Sequence, residues 1–308
     1  MKKALLLLLL VITLNLSAQS TADTTNYHAQ AVEAMMDQRY AEAISLLEQA
    51  LATNEDMDIA LYNKGVCHMS LEQYEVAINT FAKAIEITED DQLRLRAIYQ
   101  SAYLQRNKTK DLVSALQNTE RGIAIDSLHI QSHYMRGLVL HDMGRWEEAI
   151  KSFNVAIALA PSNAGAYYDR GVAKRKLGKV EEAIADYTIT INLDPNYDRA
   201  YNNRGYAKMT IEDYEGAILD YTAAIRITNS AYAYNNRGYA RLKLGDLEKA
   251  RIDCEKSIEL DPENSWAYHY LGLVYYEMGK QKKACGLFQQ ALQLGKEEVM
   301  EDINEKCN

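Results

Sequence analysis

The body of this 308-residue chain has no basic run, and the formal net charge is −9. Phosphate binding needs lysine and arginine concentrated on one face, so this charge balance argues against a nucleic-acid-binding protein. The four cysteines form no Cys-x-x-Cys pair and no cysteine–histidine spacing typical of zinc or haem. Disorder is excluded as well, because 48% of the residues are hydrophobic and 25% are charged, as in folded proteins.

Motifs that carry catalytic chemistry are also missing. The chain contains no G-x-S-x-G, no H-E-x-x-H, no phosphate-binding loop and no dinucleotide-binding glycine motif. His129 and His133 are four residues apart on a predicted helix face, a spacing that can hold a metal, but no third ligand completes the set. His133 also occupies a position that tyrosine fills in the repeats described below. We therefore predict no cofactor, no metal and no enzymatic activity.

Only one apolar run is long, and it lies at the N-terminus. The first twenty residues combine two lysines, a largely apolar run from Ala4 to Leu14, and small or polar residues at 17–19. This layout is typical of a secretory signal peptide, and the run is shorter than a bilayer-spanning helix needs. We expect residues 1–19 to be removed, which leaves an exported chain without a membrane span in the periplasm, at the envelope or outside the cell. An uncleaved N-terminal anchor is the alternative.

A period of 33 or 34 residues organises the rest of the chain. The sequence AYNNRGYA occurs twice, 33 residues apart, and its glycine belongs to a longer series. An alanine follows each glycine of the series by twelve residues, and a large residue follows most of them by sixteen. These helical spacings place small residues where two helices approach closely. The glycines of the series are Gly65, Gly137, Gly171, Gly205, Gly238 and Gly272.

Prolines and a second set of glycines follow the same period. Pro161, Pro195 and Pro262 are the only prolines, and each lies 24 residues after a series glycine, where a proline ends one helix and turns the chain into the next. Four further glycines lie seven residues after a series glycine, and we expect them to cap the first helix of each pair in a left-handed conformation. They are Gly144, Gly178, Gly245 and Gly279.

This pattern resembles the tetratricopeptide repeat, a helix–turn–helix unit of 34 residues. The resemblance implies an all-α fold, a right-handed superhelical α-solenoid of about eight repeats in one domain spanning 20–308. Two repeats are degenerate, with Ala31 and Tyr103 in the glycine position, and an insertion around 89–95 precedes the second of these. A polar helix within 296–308 would cap the last apolar face. The predicted repeats cover 24–57, 58–91, 96–129, 130–163, 164–197, 198–230, 231–264 and 265–298.

Arginine directly precedes four of the series glycines, and three of the four have an aspartate sixteen residues later. A guanidinium near a helix interface needs a bidentate partner, so we predict structural ion pairs between packed helices. Arg136 breaks the rule, because Ser152 stands in the matching position. A row of anion-binding arginines is the alternative. The predicted pairs join Arg170 with Asp186, Arg204 with Asp220, and Arg237 with Asp253.

The positions two and three residues before the series glycines carry many amide and aromatic side chains. In tetratricopeptide proteins these positions look into a concave groove, where asparagines commonly bind the main chain of an extended ligand. An amide both donates and accepts hydrogen bonds, and tyrosine adds amphipathic contact area. An ordinary polar helix surface is the alternative. The predicted groove residues are Tyr62, Asn63, Tyr168, Asp169, Asn202, Asn203, Tyr206, Asn235, Asn236, Tyr239, His269 and Tyr276.

Cysteine positions suggest one covalent link. Cys285 and Cys307 flank the last predicted helical stretch, and in an exported protein they could form a disulfide that fastens the C-terminal tail to the body. Free buried thiols are the alternative.

The sequence therefore predicts an exported, non-catalytic scaffold that binds a protein or peptide in its groove and supports an envelope-associated assembly. Chaperone-binding tetratricopeptide domains hold a C-terminal carboxylate with lysine and arginine at groove positions, which here carry mainly Tyr, Asn, Val, Leu and His. We therefore do not expect a carboxylate clamp. A structural spacer, or a homo-oligomer assembled through convex or terminal surfaces, is the alternative. The least expected function is that of an envelope hydrolase or transferase.

Overall fold

The computed structural model describes residues 26–53 and 56–307, and within these residues it contains 17 α-helices and no strand. The all-α prediction is therefore confirmed for this part of the chain. None of the helices described is both long enough and apolar enough to cross a membrane. The predicted signal peptide at 1–19 lies outside the described residues. The chain divides into two compact units, the first ending at Met143 and the second beginning at Gly144.

The first unit contains seven α-helices and one π-helical turn, Gln105–Thr109. Consecutive helices contact each other, and one apolar core includes residues from the first five. The α-helices are α1 (Tyr27–Met36), α2 (Tyr40–Ala52), α3 (Met57–Ser70), α4 (Tyr74–Ile87), α5 (Asp91–Leu104), α6 (Leu112–Ile125) and α7 (Ile130–Asp142).

The second unit contains ten α-helices. Each helix contacts the next, and the first helices of successive repeats also contact one another. The helices are α8 (Trp146–Leu159), α9 (Ala164–Lys176), α10 (Val180–Leu193), α11 (Asp198–Thr210), α12 (Tyr214–Ile227), α13 (Ala231–Lys243), α14 (Leu247–Leu260), α15 (Ser265–Glu277), α16 (Gln281–Gln293) and α17 (Val299–Lys306).

The helices can be compared with the predicted repeat boundaries one by one. The last five predicted repeats begin at the first residue of α7, α9, α11, α13 and α15. The third repeat begins at Asp91 instead of residue 96, because the Asp90 side chain accepts a hydrogen bond from the Gln92 backbone N–H and so starts α5 earlier. The residues that we predicted to be an insertion are therefore partly the first turn of α5.

Series glycines allow the two helices of a repeat to pack closely. A Cβ atom placed on Gly272 would lie 2.5 Å from a ring carbon of Phe288, and one placed on Gly205 would lie 2.9 Å from the ring of Tyr221. Real side chains do not approach this closely, so the aromatic ring of the second helix occupies the space that a larger residue would need. Phe288 and Tyr221 are themselves fully buried and fill the space between the helices.

The turn between the two helices of a repeat has a left-handed residue in every repeat. The four predicted cap glycines have φ between 73° and 76°. The equivalent positions in the other repeats carry Gln38, Glu72, Lys110 and Glu212, with φ of 60° or 61°. The left-handed conformation therefore follows from the turn and is adopted even where the sequence supplies no glycine.

Helix α17 covers the apolar end of the second unit. Val299 is fully buried in a cluster that also contains Phe288. A disulfide joins Cys285 to Cys307, and Gln281 Nε2 donates a hydrogen bond to the Lys306 carbonyl at 2.7 Å. The observed capping helix is shorter than the predicted range 296–308, because it begins at Val299 and ends at Lys306.

The other two cysteines, Cys67 and Cys254, are free and buried. Burial raises the pKa of the Cys67 thiol to about 12, so this thiol stays protonated and unreactive at neutral pH.

Two glycines of the last repeat give a matched test of helix packing. We expect Gly272→Ala to destabilise the protein by about 1–3 kcal/mol, because the added methyl group overlaps the Phe288 ring. Gly286→Ala serves as the control, since nothing lies within 4 Å of its added methyl group and alanine favours a helix by up to about 1 kcal/mol. Denaturant unfolding measures both. Equal effects of the two substitutions would contradict this account of the packing.

The Cys285–Cys307 disulfide closes a segment with a sequence separation of 22 residues. We expect the double variant Cys285→Ser and Cys307→Ser to lose about 2–4 kcal/mol of stability, because its unfolded chain is less restricted. Reductant should lower the Tm of the wild-type protein to a similar extent and leave the variant unchanged. Thermal unfolding with and without reductant measures this, and a variant as stable as the oxidised wild type would contradict it.

Candidate ligand-binding face of the second unit

Three arginines of the second unit join the two helices of their own repeats. Each guanidinium donates to both carboxylate oxygens of one aspartate, with N–O distances between 2.6 and 3.0 Å. All three aspartates are buried. A bidentate pair of this kind fixes both the separation and the orientation of the two helices. The pairs are those expected from the sequence, Arg170 with Asp186, Arg204 with Asp220, and Arg237 with Asp253.

A second cation contacts each of the three buried aspartates. Lys174 Nζ lies 3.0 Å from Asp186, Lys208 Nζ lies 2.8 Å from Asp220, and Arg241 Nη1 lies 2.7 Å from Asp253. Sequence reasoning missed this contact, although the signal is visible as a lysine or arginine four residues after each of the three arginines. Each buried carboxylate is therefore shared by two cations of the same first helix.

Each arginine also reaches the preceding repeat. The Nη1 atom of each arginine donates to a side-chain oxygen on the second helix of the preceding repeat. Each guanidinium thus connects three helices, and three of its five N–H groups donate to protein acceptors. These contacts support the structural interpretation of the arginines over the anion-binding one. The acceptors are Asn154 at 2.7 Å, Thr188 at 3.0 Å and Thr222 at 3.1 Å.

Four of the predicted groove residues are buried, namely the three described here and Asn235, which is described below. Tyr62 packs against the ring of Phe81, with the ring centroids 5.6 Å apart. Tyr168 packs between two other tyrosine rings. Asn63 is also buried, and its Nδ2 lies 3.0 Å from His28 Nε2. The prediction for these three is corrected, because at these positions large or amide side chains fill the contact between neighbouring repeats.

A recurring contact explains this burial. The residue three positions before the glycine place of one repeat meets the residue two positions before it in the next repeat. His28 meets Asn63 in this way, and the Asn203 Nδ2 donates to the Tyr168 hydroxyl at 3.0 Å. Asn203 Nδ2 also donates to a backbone carbonyl of its own helix, so this amide is engaged within the protein.

The contact recurs at the C-terminal end, where α17 takes the place of a further first helix. His269 Nε2 lies 2.6 Å from Asp302 Oδ2. Burial lowers the pKa of His269, while the neighbouring Asp302 acts to raise it. The lowered pKa favours a neutral imidazole at neutral pH. Tyr276 lies on the same first helix, and the Lys306 ammonium lies 5.6 Å from its ring centroid. His269 and Tyr276 are therefore partly covered by the cap.

Asn202 and Asn235 differ from the other amides. The Oδ1 atoms of both are buried and have no hydrogen-bond partner. The residues that would meet them across the repeat contact are Asn236 and Tyr270, and neither donates to these oxygens. Tyr270 stacks on Tyr239 instead, with the ring centroids 4.3 Å apart and the planes 15° apart. Two equivalent positions in successive repeats thus hold an unsatisfied acceptor.

A tyrosine lies four residues, about one helical turn, after each of these two amides. Tyr206 is 49% exposed, and the Arg175 guanidinium lies over its ring at 5.0 Å. Tyr239 is half-buried, with the Lys243 ammonium 5.3 Å from its ring centroid. Asn236 and Asp169 are half-buried. We call the region of α11 and α13 formed by four half-buried or exposed residues and the buried Asn235 the asparagine–tyrosine face. It consists of Asn202, Tyr206, Asn235, Asn236 and Tyr239.

The two histidines considered as a metal pair make contacts within the protein. His129 Nδ1 lies 2.8 Å from the Ser132 hydroxyl, and His133 Nε2 lies 2.9 Å from the Ser127 carbonyl oxygen. These contacts agree with a packing role for both side chains.

Paired helices with a constant register define an α-helical repeat protein. Models of the tetratricopeptide repeat family match most of the chain, and the chain belongs to this family. The matched residues are 34–101, 137–178, 173–211, 198–230, 231–264 and 254–286.

Known proteins share either part of the sequence or the fold. The chain is 30% identical over 105 residues to human protein unc-45 homolog B, a match that spans 34% of this chain and 11% of that protein. A tetratricopeptide repeat protein of Parabacteroides merdae is 18% identical and aligns with a TM-score of 0.63, covering 82% of this chain and 99% of that one. YrrB, a TPR protein with an unusual peptide-binding site, is 17% identical with a TM-score of 0.52, covering 61% and 97%. These two crystal structures show a common fold.

Replacing Asp220 with alanine tests the shared carboxylate. Arg204 and Lys208 would lose their common acceptor, and removing one partner of a buried ion pair costs about 3–5 kcal/mol. We therefore expect a clear fall in Tm, measured by circular dichroism. Glu215→Ala is the control on the same helix, because Glu215 is exposed and should change stability by less than about 1 kcal/mol. If the Asp220 variant were as stable as the wild type, the ion pairs of Asp220 with Arg204 and Lys208 would not be what holds the two helices together.

Proposed function

We propose that this protein is a non-catalytic scaffold that binds a protein or peptide segment on its asparagine–tyrosine face. The observation that carries the proposal is the pair of unpartnered amide oxygens on Asn202 and Asn235. Buried polar groups in native proteins nearly always have a hydrogen-bond partner, and each exception needs an explanation. The main-chain N–H groups of a bound segment would supply the missing donors.

The spacing of the two amides fits an extended chain. They occupy equivalent positions on α11 and α13, which contact each other directly. The axes of packed helices are about 8–10 Å apart. Three residues of a polyproline II segment also advance about 9 Å and complete one turn, so every third N–H group points in the same direction. One asparagine per repeat would therefore meet one main-chain N–H group per three ligand residues.

Access differs between the two amides, because Asn202 is half-buried whereas Asn235 is 3% exposed and also needs neighbouring side chains to move. The terminal torsion of asparagine is soft, so the amide can turn its oxygen toward a ligand without moving the backbone. Tyr206 and Tyr239 stand one residue after the series glycines and would provide flat contact area beside the bound main chain. The hydrogen bonds of the three arginines would restrict motion of the helices, and a rigid binding surface reduces the entropic cost of association.

We further propose that the protein acts outside the cytoplasm, in an envelope-associated assembly. The signal-peptide layout of residues 1–19 supports export. The Cys285–Cys307 disulfide also supports it, because structural disulfides persist mainly in oxidising compartments.

Selection of peptides from an unbiased displayed library tests the proposed function. The purified chain without residues 1–19 is the bait, and binding of the enriched peptides is then measured by fluorescence anisotropy. We expect the double variant Asn202→Ala and Asn235→Ala to weaken binding at least about tenfold, since two hydrogen bonds to the ligand main chain are lost. Asn192→Ala is the matched control, because Asn192 is exposed on the second helix α10.

Thermal unfolding of the double variant establishes that the fold is intact. Enriched peptides that bind the intact double variant and the wild type equally well would contradict a role for these amides. A selection that yields no peptide would contradict peptide binding by this face.

A further inference from the structure

Charge is unequally divided between the two kinds of helix in the second unit. The first helices of its four complete repeats, α9, α11, α13 and α15, carry ten basic and three acidic residues. The second helices, α10, α12, α14 and α16, carry nine acidic and six basic residues. The first-helix side is therefore basic in a chain whose overall charge is −9.

The buried aspartates use six of the ten basic residues, two for each carboxylate. Four basic residues remain, and they lie on the two sides of the asparagine–tyrosine face along the first helices. Lys176 and Lys243 are exposed at the ends of α9 and α13. The other two are Arg175 and Arg199.

Three of these cations lie over tyrosine rings. Arg175 lies over Tyr206 at 5.0 Å, and Lys243 lies 5.3 Å from the ring centroid of Tyr239. Arg199 lies over the Tyr168 ring at 5.1 Å. A cation that lies over an aromatic ring is attracted by the ring and is restricted in orientation. The positive charges are thus placed beside the unpartnered amides.

Few acidic groups on the first helices oppose these cations. Asp198 accepts a hydrogen bond from the Thr228 hydroxyl at 2.8 Å. Asp169 lies near Arg199, whose pKa is raised chiefly by Tyr168 and to a smaller extent by Asp169. Glu277 is exposed at the end of α15, beyond the asparagine–tyrosine face. The charge left over beside the face is positive.

We propose that the segment bound on the asparagine–tyrosine face is acidic, with aspartate or glutamate side chains that pair with Arg175, Lys176 and Lys243. This proposal rests on the proposed function and specifies its ligand. The carboxylates belong to side chains within the segment, so a free C-terminus is not required.

A nucleic acid is the other anionic polymer that a basic, aromatic surface could attract, and two observations favour the peptide. The unpartnered oxygens of Asn202 and Asn235 need hydrogen-bond donors at a regular spacing, which a peptide main chain offers and a DNA sugar–phosphate backbone does not. The acidic second helices and the overall charge of −9 would repel a long polyanion.

The composition of the selected peptides gives the first test. Peptides that depend on Asn202 and Asn235 should be enriched in aspartate and glutamate. Enriched peptides that need the two asparagines but are neutral or basic would overturn the acidic ligand and leave the proposed function standing.

Three synthetic peptides give the second test. They are labelled, C-terminally amidated and roughly 12 residues long, the length that spans four first helices at three residues each. They repeat Glu-Ala-Pro, Gln-Ala-Pro or Lys-Ala-Pro. We expect the glutamate peptide to bind at least about tenfold more tightly than the glutamine peptide, and the lysine peptide to bind most weakly. The affinity of the glutamate peptide should fall several-fold between about 50 mM and about 300 mM salt, because salt screens exposed charges.

Charge reversal at exposed positions completes the test without disturbing the fold. Lys176→Glu with Lys243→Glu should weaken the glutamate peptide and strengthen the lysine peptide. Arg226→Gln with Lys282→Gln removes two exposed charges from second helices and should leave the order of affinities unchanged. An unchanged preference in the charge-reversed variant, or no binding by the glutamate peptide, would overturn the proposal. Tighter binding of a labelled oligothymidine than of the glutamate peptide would also overturn it.

Discussion

The second unit depends on one interaction, the bidentate ion pair between a buried aspartate and the arginine that directly precedes a series glycine. The glycine lets the two helices approach, and the guanidinium fixes how they approach, because its bidentate geometry allows one separation and one orientation. The same group reaches the second helix of the preceding repeat. Packing within a repeat and stacking between repeats are therefore set by a single side chain, repeated in α9, α11 and α13.

Much of this fold was predictable from the sequence, because the physical requirement at each core position is narrow. Gly205 must be small where Tyr221 covers it, and the arginine and its aspartate sixteen residues later need each other. The sequence also shows a lysine or arginine four residues after each of the three arginines. Its role in pairing with the aspartate could not be inferred, because the sequence does not show that the carboxylate is buried. The left-handed turn at Glu212 carried no sequence signal, since the turn imposes its conformation on any residue.

The candidate site was predictable only in part, because its positions serve two purposes. The residue three places before the glycine can fill the contact with the next repeat, as Tyr168 does, or leave an unused hydrogen-bonding group, as Asn235 does. The sequence shows the same amide-rich register in both cases. Which of the two occurs depends on the partner from the next helix, and the stacking of Tyr270 on Tyr239 decides it for Asn235.

Helix α17 has a consequence for the surface that the C-terminal end of the second unit presents. It stands where the first helix of another repeat would stand, and it is eight residues long. With Asp302 on His269 and Cys307 bonded to Cys285, the surface on which one array could stack upon another is already occupied by the chain itself. A partner that approaches this end of the described residues therefore meets the outer side of α17 and not the apolar face of α15 and α16.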